Sequence, residues 1–325
     1  MILEPFIFEP VYKETIWGGR NLEKVLNKNL PPDKKIGESW EVADHPNGTS
    51  IIATGDLKGK TFSEVFKIYR KDILGPKLYE KYKERFPLLI KFIDAQDKLS
   101  VQVHPDDNYA FKNENGSSGK TEAWYIVDAK PDSFLIAGFS RPTSKEEFEE
   151  KLQKEEVENL LGKIPVKKDD FIFIPAGRVH AIMPGIIINE IQQNSDITYR
   201  VYDWNRKKED GKPRELHIKQ SLETMNYNDY NVKKATIKKI DQNVSLLTKN
   251  SFFIIEKIEL KNSFKNFSTV QTESFHICSV IQGKGTLKWE KGQLVIKTGD
   301  TFLVPYSCDL YSIEGKEITI IRSYI

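Results

Sequence analysis

Most of this chain is written in short runs of β-branched and aromatic residues, each ended after a few positions by Gly, Pro, Asn or Asp. That rhythm predicts a mainly β protein with antiparallel strands in a sandwich or barrel. Helical periodicity shows in three places: 61–74 with a continuation to about 83, 144–161, and 216–225. In the second, Thr143 or Ser144 can cap the N-terminus. Glu146, Glu147, Glu149 and Glu150 suit its positive dipole end, and Phe148, Leu152, Leu160 and Leu161 form an apolar stripe. These segments are expected as helical insertions around a β core.

One internal repeat sharpens the expectation. KKDDFIFIPAGRVHAI at 167–182 and KTGDTFLVPYSCDLYSI at 297–313 share an acidic turn, an apolar run, a proline and a return strand. Superposing Pro175 on Pro305 sets His180 opposite Leu310, so the first copy keeps a possible metal ligand that the second lacks. A turn, a strand, Pro-x-Gly and then His is how the second motif of a cupin barrel reads. The expected architecture is therefore two cupin-like jelly-roll barrels. Residues 1–235 would form the metal-binding domain with the helical insertions, and 236–325 a degenerate domain without ligands. The polar, Lys-rich stretch 227–242 is the linker candidate.

Composition narrows the partners. Forty-nine Lys and Arg against forty-seven Asp and Glu leave a net charge of +2, without the basic concentration that nucleic acid or acidic lipid would demand. The apolar runs FPLLIKFI and PGIIINEI are broken by Lys91 and Glu190 well short of the roughly 20 residues of a membrane span. The opening MILEPFIFEP has no basic region before an apolar one and no small-residue cleavage site. Cys278 and Cys308 are then expected as reduced thiols in a soluble cytoplasmic protein.

The chemistry concentrates on strands. In LSVQVHPDD, Ser100, Gln102 and His104 alternate with Val101 and Val103, so one face is polar and implies a lined cavity. In GKTEAWYIV, Lys120 and Glu122 share a face likewise. Gln102, His104, Glu122 and His180 together supply two imidazoles, a carboxylate and an amide oxygen, which suits a divalent ion with room left for water or substrate. His45 in a turn, His217 opening a helix and His276 lack ligand company and are not expected to bind metal.

The strings SVQVHPDD, GKTEAWYI, PAGRVHAI and EIQQNSDITYRVYDWNR, with the opening EPVYKETIWGGRNL and GESWEVADHPNG, resemble the successive motifs of type I mannose-6-phosphate isomerases in their short bacterial form. The resemblance runs over essentially the full length. It implies one Zn2+ per chain held by Gln102, His104, Glu122 and His180, and interconversion of mannose 6-phosphate with fructose 6-phosphate through a cis-enediol. It places the family's active-site arginine on Arg200, in a stretch where Asp196, Thr198, Arg200 and Tyr202 are expected on one strand face. Phosphate-binding positions fall on Ser100, Lys91 and Arg206, the last standing where relatives often have Lys.

Isomerisation needs a proton moved between adjacent carbons and charge stabilised on the enediolate oxygens. Arg200 suits the second task, or else forms a structural ion pair with Asp196 or Glu190. Lys120, Glu190 or Asp196 can handle protons, although a solvated Lys120 paired with Asp106 or Asp107 is an alternative. Two other readings stay open on the residues alone: an iron-dependent cupin dioxygenase, which leaves Lys91, Lys120, Arg200 and Arg206 without a task, and a noncatalytic sugar-phosphate-binding module.

Overall fold

The computed structural model describes residues 2–207 and 211–325. Two antiparallel sheets face each other in the first two thirds of the chain. One has five strands, in the order Leu161–Pro165, Phe134–Phe139, His180–Ile182, Val101–Val103, Tyr199–Tyr202. The other has six, in the order Phe171–Ile174, Glu122–Ala129, Ile186–Gln193, Leu88–Ala95, Ile36–Val42, Val11–Gly19. Every residue of Ile186–Gln193 is buried, because the strand has protein on both faces. Ile186 and Ile188 join the core that also takes in Trp124, Leu135 and Ile182. Ile187 and Ile191 point the other way, into a core shared with Ile255, Ile277 and Leu303 of the C-terminal part.

That part is a nine-stranded sheet dominated by Ile254–Ser268, His276–Trp289 and Leu310–Tyr324. It also recruits the chain's start: Phe6 pairs with Leu303 and Ile7 with Phe302. The expected division after residue 235 is therefore crossed by the N-terminal strand Phe6–Glu9. Within 227–242 the one strand is the short Lys238–Lys239.

The repeat is present in three dimensions. Each copy turns at an Asp whose carboxylate accepts the backbone N–H of the residue three before it, Lys167 to Asp170 at 2.8 Å and Lys297 to Asp300 at 2.9 Å. Asp169 and Gly299 occupy the same place in the two turns, both with positive φ (74° and 91°). Glycine is required at 299, where a Cβ would meet the Leu26 carbonyl oxygen at 1.8 Å.

Of the helical segments, the first spans Phe62–Leu74 under a Thr61/Glu64 capping box and, after Gly75, continues as Pro76–Lys81. The third is Ile218–Thr224. The second is shorter than expected. It covers Lys145–Gln153, capped by Ser144, and Glu155 then takes a positive φ, so Val157–Leu160 form a 3₁₀ turn and Leu161 already begins a strand. Leu160 and Leu161 are buried as the stripe suggested, but in different elements. The short helices Asn21–Leu26 and Asp107–Asn113 carry no periodicity long enough to read in sequence. Cys278 is buried, Cys308 half-buried, and both are free thiols. Among the described residues no helix is long and apolar enough to cross a membrane.

Candidate active site

The five-stranded sheet sets His180 opposite Gln102, and Gln102 in turn opposite Arg200. Across the gap, the six-stranded sheet sets Glu122 opposite Gln192, Glu190 opposite both Trp124 and Lys91, and Lys91 opposite Trp40. The polar faces of both sheets thus meet in one cavity of about 470 Å³, whose lining includes Glu38, Trp40, Lys91, Gln102, Lys120, Glu190, Asp196, Thr198, Arg200 and Arg214.

Behind Gln102 and Lys120 lie His104, Glu122 and His180, all buried, with one potential ligand atom from each within 4.8 Å of the others. The ring orientations follow from backbone carbonyls. His104 Nδ1 donates to the Ile197 carbonyl at 2.9 Å and His180 Nδ1 to the Arg178 carbonyl at 2.8 Å. Each Nε2 is left as a lone pair, 3.4 and 3.5 Å from the Glu122 carboxylate. Burial, with the Lys120 ammonium, pushes His104 down to about 3, and burial depresses His180 as well. Burial alone would raise Glu122, but Lys120 and the two imidazoles hold it well below the carboxylate range. Three groups without a proton to share converge, and their mutual repulsion calls for a cation. Lys120 Nζ supplies one from the cavity side, 3.0 Å from Glu122 Oε2 and 3.1 Å from His104 Nε2. Among the described residues, neither Glu122 oxygen is aligned for a hydrogen bond, and His180 Nε2 has no hydrogen-bond partner. This donor set fits a divalent metal ion.

The remaining predicted residues divide by position. Glu190 accepts from the Trp124 indole at 2.9 Å and lies 3.1 Å from Lys91. Burial and the charge of Glu122 raise its pKa. Lys91 is held charged against its burial by Glu38 and Glu190, so its ammonium is already shared by two carboxylates. Asp196 is fixed at the mouth by Asn47 and by His45, whose Nε2 is 3.5 Å away. Arg200 has no carboxylate in an ion pair with it among the described residues. It donates to Ser100 Oγ at 3.3 Å and to the Glu215 carbonyl at 2.8 Å. Lys120 turns to Glu122, while Asp106 caps the helix Asp107–Asn113 and Asp107 accepts from Gly119 and Gln193.

Two expectations shift. A register irregularity between Arg200 and Tyr202 takes Tyr202 off the cavity face, and its hydroxyl donates to Glu158 instead. Arg206 is absent from the lining, held by Asp203 at 2.6 Å and Asp97 at 3.3 Å. Arg214 lines the cavity in its place.

The family model for the phosphomannose isomerase type I catalytic domain matches residues 6–159, and that for the mannose-6-phosphate isomerase cupin domain matches 243–325. Mannose-6-phosphate isomerase ManA of Bacillus subtilis is 40% identical over 319 residues, 97% of both chains. This chain belongs to the type I phosphomannose isomerase family. The mannose-6-phosphate isomerase of Streptococcus mutans is 36% identical across 99% of this chain and 98% of its own. The crystal structure of the Bacillus subtilis mannose 6-phosphate isomerase superposes with a TM-score of 0.90 at 35% identity, covering 99% of this chain and 100% of that one. A phosphomannose isomerase neighbour solved with zinc and yttrium, 15% identical with a TM-score of 0.80 over 99% of both chains, shares the fold.

Some lining residues of this phosphomannose isomerase went unread in the sequence. Glu38 and Trp40 alternate within IGESWEV, and that period-2 spacing was signal enough to find them. Arg214 sits in an irregular segment with no periodicity to mark it.

Proposed function

We propose that this chain is a zinc-dependent mannose-6-phosphate isomerase that converts its substrate to fructose 6-phosphate through a cis-enediol. The observation that carries the reading is that, in a phosphomannose isomerase, a buried His-Glu-His cradle lies just behind a cavity lined by Lys91, Lys120, Arg200 and Arg214. His104, Glu122 and His180 would hold the ion, with Gln102 beside them. The bound ion would polarise or orient sugar oxygens as a Lewis acid.

The proton chemistry falls to the chain's own groups. A base removes the proton from C2 of the open-chain aldose, the electron pair forms the C1–C2 double bond, and negative charge gathers on O1. A proton reaches O1 and another leaves O2, and the pair returns to C1 as that carbon is protonated. Glu190 suits the carbon proton, because its raised pKa brings it nearer neutrality while it stays inside the cavity. Lys120 and Asp196 can carry protons between the oxygens, and Arg200 can stabilise the enediolate. Ser100, Lys91 and Arg206 were the expected phosphate residues; Ser100 sits against Arg200, whereas Lys91 and Arg206 are engaged by carboxylates.

The same reading makes each part a cupin-like jelly roll, the catalytic one at 1–235, which lends its strand Phe6–Glu9 to the other sheet, and the degenerate one at 236–325, in a soluble cytoplasmic enzyme. The repeated turn, strand, proline and return strand supports it. Metal analysis with an assay on mannose 6-phosphate tests the proposal. We expect about one zinc per chain, and loss of activity with a chelator and recovery with zinc. Lys120→Met and Arg200→Ala should each cut turnover roughly a hundredfold or more while metal is retained. Normal turnover of metal-loaded Lys120→Met would pass its task to Glu190 or Asp196. Isomerisation that survives complete metal removal would sink the zinc reading.

A further inference from the structure

Two guanidiniums, those of Arg200 and Arg214, line the cavity, and a third, that of Arg206, lies behind them. Among the described residues, the carboxylates bonded to them are Asp203 and Asp97, and of these two Asp203 is buried. Asp203 serves two arginines at once. Its Oδ1 accepts from Arg206 Nη2 at 2.6 Å and also from Arg214 Nη2, while its Oδ2 accepts from Arg214 Nε at 2.8 Å. The two arginines differ in where the rest of the side chain goes. Arg206 reaches outward to Asp97, which is half exposed, and lines no part of the cavity. Arg214 has one edge pinned by Asp203 and borders the cavity together with Arg200. Burial and the nearby charge of Arg214 depress the Arg200 guanidinium, as expected where positive charge is concentrated without full compensation.

We infer that Arg214, oriented by Asp203, is the residue of this chain that clamps the substrate's phosphate, and that Arg206 supports it from behind. The inference rests on the sugar-phosphate reading above and assigns that substrate's permanent charge to a residue. A sugar phosphate brings two negative charges to this wall: a permanent one on the phosphate, and a transient one on the enediolate oxygens. Two guanidiniums line the wall. Arg214 is held along its Nε edge by a carboxylate, which fixes a planar, always-charged group and so prepares it for an anion that is present from first encounter. Arg200, hung on a hydroxyl and a carbonyl, is left for the charge that develops during reaction. A contact made equally in ground and transition states lowers KM without raising kcat, so the two arginines should separate kinetically.

The test uses the full-length, metal-loaded enzyme and two probes, mannose 6-phosphate in steady state and inorganic phosphate in calorimetric titration. Arg214→Ala should raise KM roughly ten- to a hundredfold, the scale of a lost hydrogen bond to a charged group, with kcat within about threefold. Phosphate binding should weaken by a similar factor. Arg214→Lys, which keeps the charge and serves if the alanine variant does not fold, should fall between the two. Arg206→Ala should move KM less than Arg214→Ala does. The assignment is overturned if Arg214→Ala and Arg214→Lys leave both KM and phosphate affinity unchanged, or if Arg206→Ala has the larger effect on them. A wild-type protein that binds phosphate through Arg214 but does not isomerise mannose 6-phosphate would instead overturn the activity reading and leave the anion site standing.

Discussion

At Pro175 and at Pro305 the chain makes the same turn twice, and the strand beside each turn carries a different residue at the matching register. Ile174, just before the first proline, pairs with Glu122; Val304, just before the second, pairs with His276. Five residues after the prolines stand His180, fully buried, and Leu310, 63% exposed. In the first copy each imidazole has one nitrogen tied and the other aimed at a carboxylate that lacks hydrogen bonds. In the second, both nitrogens of His276 are used, Nδ1 with the Tyr311 hydroxyl at 2.7 Å and Nε2 with Thr272 Oγ1 at 2.8 Å. Nearby Arg322 brings a cation of its own, bonded to Glu256 at 3.0 Å and lying 4.2 Å over the Phe267 ring. One fold unit therefore leaves His180 Nε2 unbonded among the described residues, beside a carboxylate that Lys120 meets only from the cavity side, and the other completes its polar contacts internally. A buried polar network that satisfies itself stabilises; one left open is poised to bind.

The contrast can be broken most directly at its ligands. His104→Ala, His180→Ala and Glu122→Gln should each lose the metal and at least about a thousandfold in turnover, the scale of the several kcal/mol that a Lewis acid supplies. His276→Gln should keep metal and activity. Elemental analysis of folded variants decides it: full metal content in both histidine variants would mean that the site is wrongly assigned. Next comes the internal ion pair. Arg322→Met alone should destabilise by about 3–5 kcal/mol, because it strands a buried Glu256, and Arg322→Met with Glu256→Leu should recover most of that. Denaturant melts read both; a single variant as stable as the wild type would show that the second network does not hold this half together.

The smallest effect is in pH. His276 is held well below its ordinary range, first by burial and then by Arg322. In the folded state it stays neutral, while in the unfolded state it binds a proton below about 6.5, so its share of stability is complete above that pH and declines as pH falls. The loss approaches about 1.4 kcal/mol per unit for this one group. Stability curves of wild type and His276→Gln between pH 7.5 and 5 should diverge on the acid side only. Parallel curves would mean that His276 titrates alike in both states.

Much of this was legible from local pattern. Strand period put Gln102 and Lys120 on the lining and His104 and Glu122 just behind it, because alternation decides which face a side chain takes. The repeat located His180 and set Leu310, which has no ligand atom, at the matching position. Pattern failed where a single residue interrupts it. Glu155 follows the end of a helix that the apolar stripe of Leu160 and Leu161 predicted to run on to 161, and one irregular pairing after Arg200 turns Tyr202 away from the cavity.

By itself the sequence determined which chemical groups the site has and which strand faces bear them, since both follow from residue type and a two-residue period. Only the tertiary structure decided how those groups are used. Carbonyls of Ile197 and Arg178, distant from or irregularly placed beside their imidazoles, chose the nitrogen that is left as a ligand. Tyr311 and Thr272 closed His276, and Asp203 turned one of two nearby arginines toward the cavity and the other away. Periodicity is local and can be read along the chain. Hydrogen-bond partners are set by which distant backbone and side-chain atoms the packed sheets bring within about 3 Å, and no local pattern records that.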